Sequence, residues 1–172
     1  MPAFGPLELH EPLDLWSSSQ RFYLHPKLLG SLVLPTKLRW IPIPFTSNNK
    51  KLVAAKRGVY AFVVKSEFSD LPTHGYVMYM GITGNDSEAR NLRIRYSDYL
   101  IHKKLIKPKK RIGIHHMLNI WTDCLYFYFA PVPRPHDLGA IEIALNDCLV
   151  PPFVRDDFSA EVRGAKAAAG LR

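Results

Sequence analysis

Cysteine is scarce: Cys124 and Cys148 are the only two in 172 residues. Two thiols make no disulfide framework and match no zinc-ligand spacing, so a reducing, cytoplasmic setting is expected. Long apolar runs are missing as well. The longest, such as Leu125 to Val132, fall far short of the roughly 20 residues of a membrane-spanning helix, and no membrane partner is expected. The opening residues Met-Pro-Ala-Phe-Gly-Pro hold no basic cluster followed by an apolar run, so no secretory leader is expected either. No segment repeats. Acidic residues are outnumbered, 15 Asp and Glu against 23 Lys and Arg, for a formal net charge of +8. Such an excess favours a polyanionic partner, nucleic acid before an anionic membrane surface.

What is present is a composition able to bury a core. With 47% hydrophobic and 22% charged residues, disorder and collagen-like structure are excluded, and the length suits one domain with or without an appendage. Proline divides the chain. Pro2, Pro6, Pro12, Pro26, Pro35, Pro42 and Pro44 recur too often for a long helix or a central strand. Residues 1–56 therefore read as an extended N-terminal extension packed on or leading into the core, anchored by Trp16, Phe22, Tyr23, Trp40 and Phe45. Within it, 31–38 and 39–45 read as short edge strands and 46–51 as a polar turn. Residues 57–157 read as the main domain, and 158–172 as a flexible, alanine-rich tail.

In the main domain, Gly58 to Lys65 and Gly75 to Thr83 are β-branched and aromatic, and the connection with Asp70 and Pro72 makes them an antiparallel hairpin. A turn over Gly84 to Ser87, with Asp86 or Ser87 as cap, leads into a helix expected from about Glu88 to Leu105. A basic loop from Lys103 to Arg111 follows, then a shorter helix over Ile114 to Trp121, a third strand over Leu125 to Ala130, and a helix from Leu138 to about Leu149 capped by Asp137. The expected fold class is α+β, a small three-stranded, mostly antiparallel sheet flanked by helices.

Two residues stand out chemically. Glu142 has Leu138, Leu145 and Leu149 around it at helical spacing. A carboxylate on such a face is paired, neutralised or metal-bound, or else sits at the edge of the stripe and reaches water. Arg95 shares a helix face with Tyr99, and Asp98 is spaced to pair with it. His115 and His116 are adjacent on a helix, about 100° apart, and cannot easily bind one ion together. The cysteines read as small buried apolar residues.

These residues fall in an order that resembles the GIY-YIG nuclease family. Gly58-Val59-Tyr60 and Tyr79-Met80-Gly81 match its two signatures, one in each arm of the hairpin. Arg95 and Tyr99 match a helical arginine followed four residues on by a tyrosine, and Glu142 with Pro151 matches a helical glutamate with a proline nine residues later. The resemblance covers Gly58 to about Val154. Ile82 stands where the family often has a lysine, Val154 where it has an asparagine, and the span from Gly81 to Arg95 is longer than in compact members. Lys65, Arg93, His115 or His116 are candidates to replace the lysine.

The resemblance implies a metal-dependent endonuclease acting on nucleic acid, DNA favoured over RNA, with Tyr60, Tyr79, Arg95, Tyr99 and Glu142 as catalytic residues. Phosphodiester hydrolysis needs an activated water, neutralisation of the non-bridging oxygens and a stabilised leaving oxygen. Glu142 suits one Mg²⁺ or Mn²⁺ per site, and a single carboxylate argues for one metal. Arg95 offers a planar fork to the scissile phosphate. Tyr79 is the expected general base, and a phenol's ordinary pKa near 10 asks for a neighbouring cation or metal-bound water. Gly81 lets a substrate backbone approach or permits a bulge. Arg90, Arg93, Lys103, Lys104, Lys107, Lys109, Lys110 and Arg111 form the expected nucleic-acid-binding surface. Neutralising about five phosphates would give a log–log salt slope of roughly −4 to −5. A homodimer would serve a double-strand cut at a symmetric site. The competing expectation is a nucleic-acid-binding module of the same fold with weak or no catalysis.

Overall fold

The computed structural model describes residues 20–65, 74–85, 87, 89–106 and 110–170. Trp16, the connection between the two hairpin strands (66–73), Asp86, Glu88, Lys107, Pro108 and Lys109 lie outside them.

The centre of the fold is β2, Gly58–Val64 (GVYAFVV), in which every residue is buried. A strand alternates its side chains, so burial at every position requires cover on both faces. Tyr60, Phe62 and Val64 point to one core, with Phe127, Phe129, Tyr96, Tyr99, Met117 and Leu118. Val59, Ala61 and Val63 point to the other, with Met80, Leu138, Ile141 and Leu145. The first core is roofed by α2 (Leu92–Lys103) and α3 (Ile112–Ile120), the second by α4 (Leu138–Leu149). The result is a helix–sheet–helix α+β sandwich.

On either side of β2 run β3 (Tyr76–Thr83) and β4 (Leu125–Pro131), both antiparallel to it. The sheet has four strands where three were expected: Ile41–Pro44 (β1), then β4, β2 and β3 lie side by side in that order. The added strand is β1, Ile41–Pro44, which pairs with β4 at the far edge. Its prolines are tolerated because an edge strand leaves one row of N–H positions without a ladder partner. Of the two edge strands expected in the extension, 39–45 contains β1, whereas 31–38 contains no strand and follows a short α1, Pro26–Gly30. The polar turn is a 3₁₀ helix, Ser47–Leu52.

The helix with Arg95 begins at Leu92, later than expected, because Asn91 and not Asp86 or Ser87 is its cap: the Asn91 side chain accepts from the Ile94 N–H at 3.1 Å. The N–H groups of Leu92 and Arg93 donate to the carbonyls of Lys56 and Ala54. The backbone of 54–56 thus satisfies two first-turn donors that a helix cannot satisfy itself. Asp137 caps α4 as the sequence indicates, accepting from Gly139 and Ala140. The C-terminal segment, expected to be frayed, forms α5 (Ala160–Ala168), capped by Ser159. Its N-terminal end is tied down: Asn146 donates to the Asp157 carbonyl, and the Ser159 N–H donates to the Asp147 carboxylate. Phe158 and Val162 bury against Val150 and Val154. No helix among the described residues is long and apolar enough to cross a membrane.

The extension shares the first core. Phe45 is buried edge-on against Phe62 and Tyr96, and the Tyr96 hydroxyl both accepts from the Thr46 N–H and donates to its carbonyl. Phe45→Ala should therefore cost about 3–5 kcal/mol, as for a large core aromatic, when urea unfolding of the full chain is compared with wild type. A loss under about 1 kcal/mol would show that the extension is peripheral to stability.

Candidate active site

Five candidate catalytic side chains come from four elements: Tyr60 on β2, Tyr79 on β3, Arg95 and Tyr99 on α2, and Glu142 on α4. The strand pair provides the first step. Its register slips between Phe62 and Val63: Phe62 pairs with Tyr79 and Val63 with Val77, leaving Met78 as the extra residue of a bulge. A bulge lets two successive side chains share a face. Met78 is buried in the first core and Tyr79 packs beside it, so Tyr79 is turned toward Tyr60 and Tyr99, with ring centroids 6.2 and 6.3 Å away. The Met78 carbonyl accepts from the Phe153 N–H at 3.0 Å, fixing the bulge to the segment after α4.

Gly81 is required by Tyr60. A Cβ built there would lie 2.5 Å from the Tyr60 hydroxyl oxygen and 2.8 Å from Cζ. The space over Gly81 is therefore taken by a phenol of the chain itself, not left open to substrate, and the bulge falls at Met78 instead. The Tyr60 and Tyr99 hydroxyls are 2.9 Å apart and hydrogen-bonded. Both rings are almost fully buried, 1% and 2% exposed, and desolvation raises both pKa values well above that of an ordinary phenol. They are neutral groups holding one another, which makes them positioning residues for what surrounds them.

Arg95 is the hub. Its guanidinium lies 6.0 Å from the ring centroids of both Tyr60 and Tyr99. Burial disfavours its charge, but the oxygens of Tyr60, Tyr99 and Tyr79 favour it, and its pKa is held above the ordinary arginine value. Its Nε is buried without a hydrogen-bond partner. Asp98, the partner expected for it, instead bonds Arg90 at 2.8 Å on the surface. Glu142 feels Arg95 but is pushed the other way overall. Burial and the neighbouring Asp157 charge raise its carboxyl to about 7, against smaller opposing effects from the Ile82 backbone and Arg95. The lowering effect of the Ile82 backbone comes from the position where the family resemblance implied a lysine.

The basic residues separate into groups. Arg93 is spent on structure, donating to the carbonyls of Val53 and Lys51, and Arg90 is paired with Asp98. Lys103 and Lys104 close α2, while Lys110 and Arg111 are exposed before α3. Among the candidate replacements for the missing lysine, Lys65 stacks over Tyr126 at 5.1 Å, and His115 bonds the His102 carbonyl at 3.0 Å. Neither contact involves the tyrosine cluster.

A cleft of about 930 Å³ opens at Tyr79 and is lined further by Arg111, Phe153, Arg155, Asp157, Arg163 and Lys166 among others. Arg95, Glu142, Tyr60 and Tyr99 are not in its wall. Sequence reasoning missed Asp157, Arg163 and Lys166 because they follow the matched segment. The one available signal was the Phe158 and Val162 spacing, which marks an apolar helix face. No group of three metal-ligating side chains occurs among the described residues. The cysteines are unpaired, Cys148 buried and Cys124 half-buried. No protein-family model, curated protein or solved structure matches the chain significantly.

The raised Glu142 has a consequence for stability. Between the ordinary carboxylate range and about 7 the folded protein keeps a proton that the unfolded chain has lost, so stability falls as pH rises through that window. Glu142→Gln keeps the shape and removes the charge. It should stabilise the apoprotein by on the order of 1–2 kcal/mol near pH 8, allowing for the partial hydration of the site, and by nothing near pH 4. Melting curves at the two pH values test this, and equal melting at both would refute the raised carboxyl. Gly81→Ala should cost at least ~1–3 kcal/mol, since the new methyl displaces Tyr60 from Tyr99.

Proposed function

We propose that the chain is a metal-dependent endonuclease resembling the GIY-YIG family, hydrolysing phosphodiester bonds of nucleic acid, DNA before RNA. The observation that carries this reading is the position of Arg95, whose guanidinium lies 6.0 Å from the ring centroids of both Tyr60 and Tyr99, the two rings that Tyr79 also packs against. A half-buried guanidinium with an unpartnered Nε has donors to spare for an oxyanion, and a phosphate is the anion whose geometry its fork fits.

Glu142 fits a divalent cation. Its carboxylate stands beside Asp157 with no cationic side chain in salt-bridge contact among the described residues. Such uncompensated negative charge is what a hard cation neutralises, and few protein ligands suit Mg²⁺ or Mn²⁺, which keep much of their water. When bound there, the ion would supply charge neutralisation at the phosphate. Asp157 adds a second carboxylate close by, and the proposal remains one metal per site, held by Glu142.

The chain's own residues supply the rest. Arg95 binds the non-bridging oxygens and holds the phosphate against the tyrosine cluster. Tyr79, half-buried and facing the cleft, orients the attacking water through its oxygen; as the phenolate it would accept the water's proton and become the neutral phenol while the water oxygen bonds to phosphorus. Tyr60 and Tyr99 do not reach outward, since each satisfies the other; they fix the angle between β2 and α2 and thereby the place of Arg95. Lys103, Lys104, Lys110 and Arg111 attract the polyanion, while Arg90 and Arg93 already have protein partners.

Nicking of supercoiled plasmid with Mg²⁺ or Mn²⁺ tests the proposal. Arg95→Ala and Glu142→Ala should each slow cleavage by about 10²–10³-fold, as for removal of a group aimed at developing charge. Arg95→Lys should recover little of it, because a point charge does not replace the fork. Cleavage by either alanine variant at the wild-type rate would sink this assignment. A wild-type protein that binds DNA but cuts neither DNA nor RNA with any divalent ion would be the binding module.

A further inference from the structure

The molecule's strongest concentration of unassigned cations lies beyond the matched segment. Arg155 follows α4, and Arg163 and Lys166 sit one turn apart on α5; with Arg111, at the start of α3, they line the cleft that opens at Tyr79. Against these four cations the wall places two carboxylates, Asp156 and Asp157. Phe153 and Pro152 give the same wall an apolar, partly aromatic surface.

This wall is built and not frayed. Asn146 and Asp147 of α4 fasten the segment at Asp157 and Ser159, and the Ser159 side chain caps α5 through the Val162 N–H. Phe158 and Val162 pack in a cluster with Val150 and Val154, and Tyr79 packs against that cluster. The Lys166 ammonium lies 4.0 Å over the Phe158 ring, which holds this cation against the protein in the wall of the cleft. The residue proposed to activate water and the helix carrying Arg163 and Lys166 therefore rest on one apolar patch. Arg155 and Arg163 are exposed, and none of the four cleft cations is in a salt bridge among the described residues.

We infer that this cleft is the track for the nucleic-acid backbone next to the scissile phosphate, with Arg111, Arg155, Arg163 and Lys166 neutralising successive phosphates and α5 acting as a substrate-binding element. The ligand chemistry follows from the wall. A single small anion would need one or two converging donors, whereas cations spread along an open cleft of about 930 Å³ match charges spaced along a chain. The aromatic edge suits bases or sugars between the phosphates, as in grooves that track a single strand. The inference rests on the endonuclease reading for what happens at Tyr79, but binding along the cleft is separable from cleavage.

Binding is therefore measured without cleavage, by fluorescence anisotropy of a labelled DNA oligonucleotide with the full-length protein in EDTA, across a salt series. A same-sequence RNA in a parallel arm shows which backbone the cleft prefers. Wild type should bind with a clear salt dependence. Arg163→Glu/Lys166→Glu should weaken binding by about tenfold or more and shallow the log–log salt slope by about two, one unit for each lost phosphate contact. Because Lys166 also packs on Phe158, the exposed pair Arg155→Glu/Arg163→Glu is tested beside it and should give the same loss with an unchanged melting temperature. If that folded variant binds both nucleic acids with wild-type affinity and slope, or if wild type binds neither, the inference is overturned. A wild type that cleaves plasmid while the variant binds normally would overturn the cleft and leave the endonuclease standing. A wild type that loses binding on substitution yet never cleaves would do the reverse.

Discussion

A hydrogen bond of 2.9 Å between the Tyr60 and Tyr99 hydroxyls joins the centre of the sheet to the helix that carries Arg95, and the candidate site is laid out around it. The bond is sealed from water by the aromatic core, where Tyr60 stacks on Phe127 and Tyr99 meets Phe62 edge-on. In such surroundings an unpaired hydroxyl would cost far more than a paired one gains. Each phenol therefore needs the other, and neither strand nor helix can rotate without orphaning both. Gly81 follows from the same bond, because any side chain there would occupy the place of the Tyr60 hydroxyl. Arg95 is one turn before Tyr99, so fixing Tyr99 fixes the stem of Arg95 as well.

Around that fixed point the polar groups are left incomplete. Arg95 keeps an unpartnered Nε, and Glu142 carries a raised carboxyl beside Asp157 with Arg95 in its field but not in contact. A core selected for stability alone would let these two close into an ion pair. Keeping opposite charges apart while each stays half-buried costs stability, and natural chains retain such arrangements where a ligand completes them. Arg95 and Glu142 are therefore left as a buried donor without a partner and a carboxyl raised by burial and Asp157, out of contact with one another.

Much of this was legible in the sequence, for identifiable reasons. Alternation and composition located β2, β3 and β4, Asp137 located its helix, and the apolar neighbours of Glu142 marked it as costly to bury. What was not legible depended on partners distant in the chain. Residues 39–45 read as an edge strand, but that this strand would join β4 and bury Phe45 against Tyr96 cannot be seen from local pattern. The start of α2 was misplaced because the N–H groups that decide it are satisfied by Lys56 and Ala54, not by a local cap alone. Arg93 looked like free charge and is consumed by two carbonyls of the 3₁₀ segment. Charge counting along the chain cannot separate a cation aimed at solvent from one bonded to backbone.

The C-terminal segment shows the same limit from the other direction. Alanine-rich and small, it has the composition of a tail that frays, and its intrinsic helix tendency over so few residues would be marginal in isolation. Four interactions reverse that: the Asn146 and Asp147 bonds to the backbone at 157 and 159, the Ser159 cap, and burial of Phe158 and Val162. The helix is thus stabilised by α4, and α4 is the helix that carries Glu142. Any displacement of Glu142 is transmitted through Asn146, one turn along the same face, to the segment bearing Asp157 and to the cations of α5. The position of the carboxylate and the position of the cationic wall are therefore set by a single helix, and Glu142 and that wall of the Tyr79 cleft move, or stay, together.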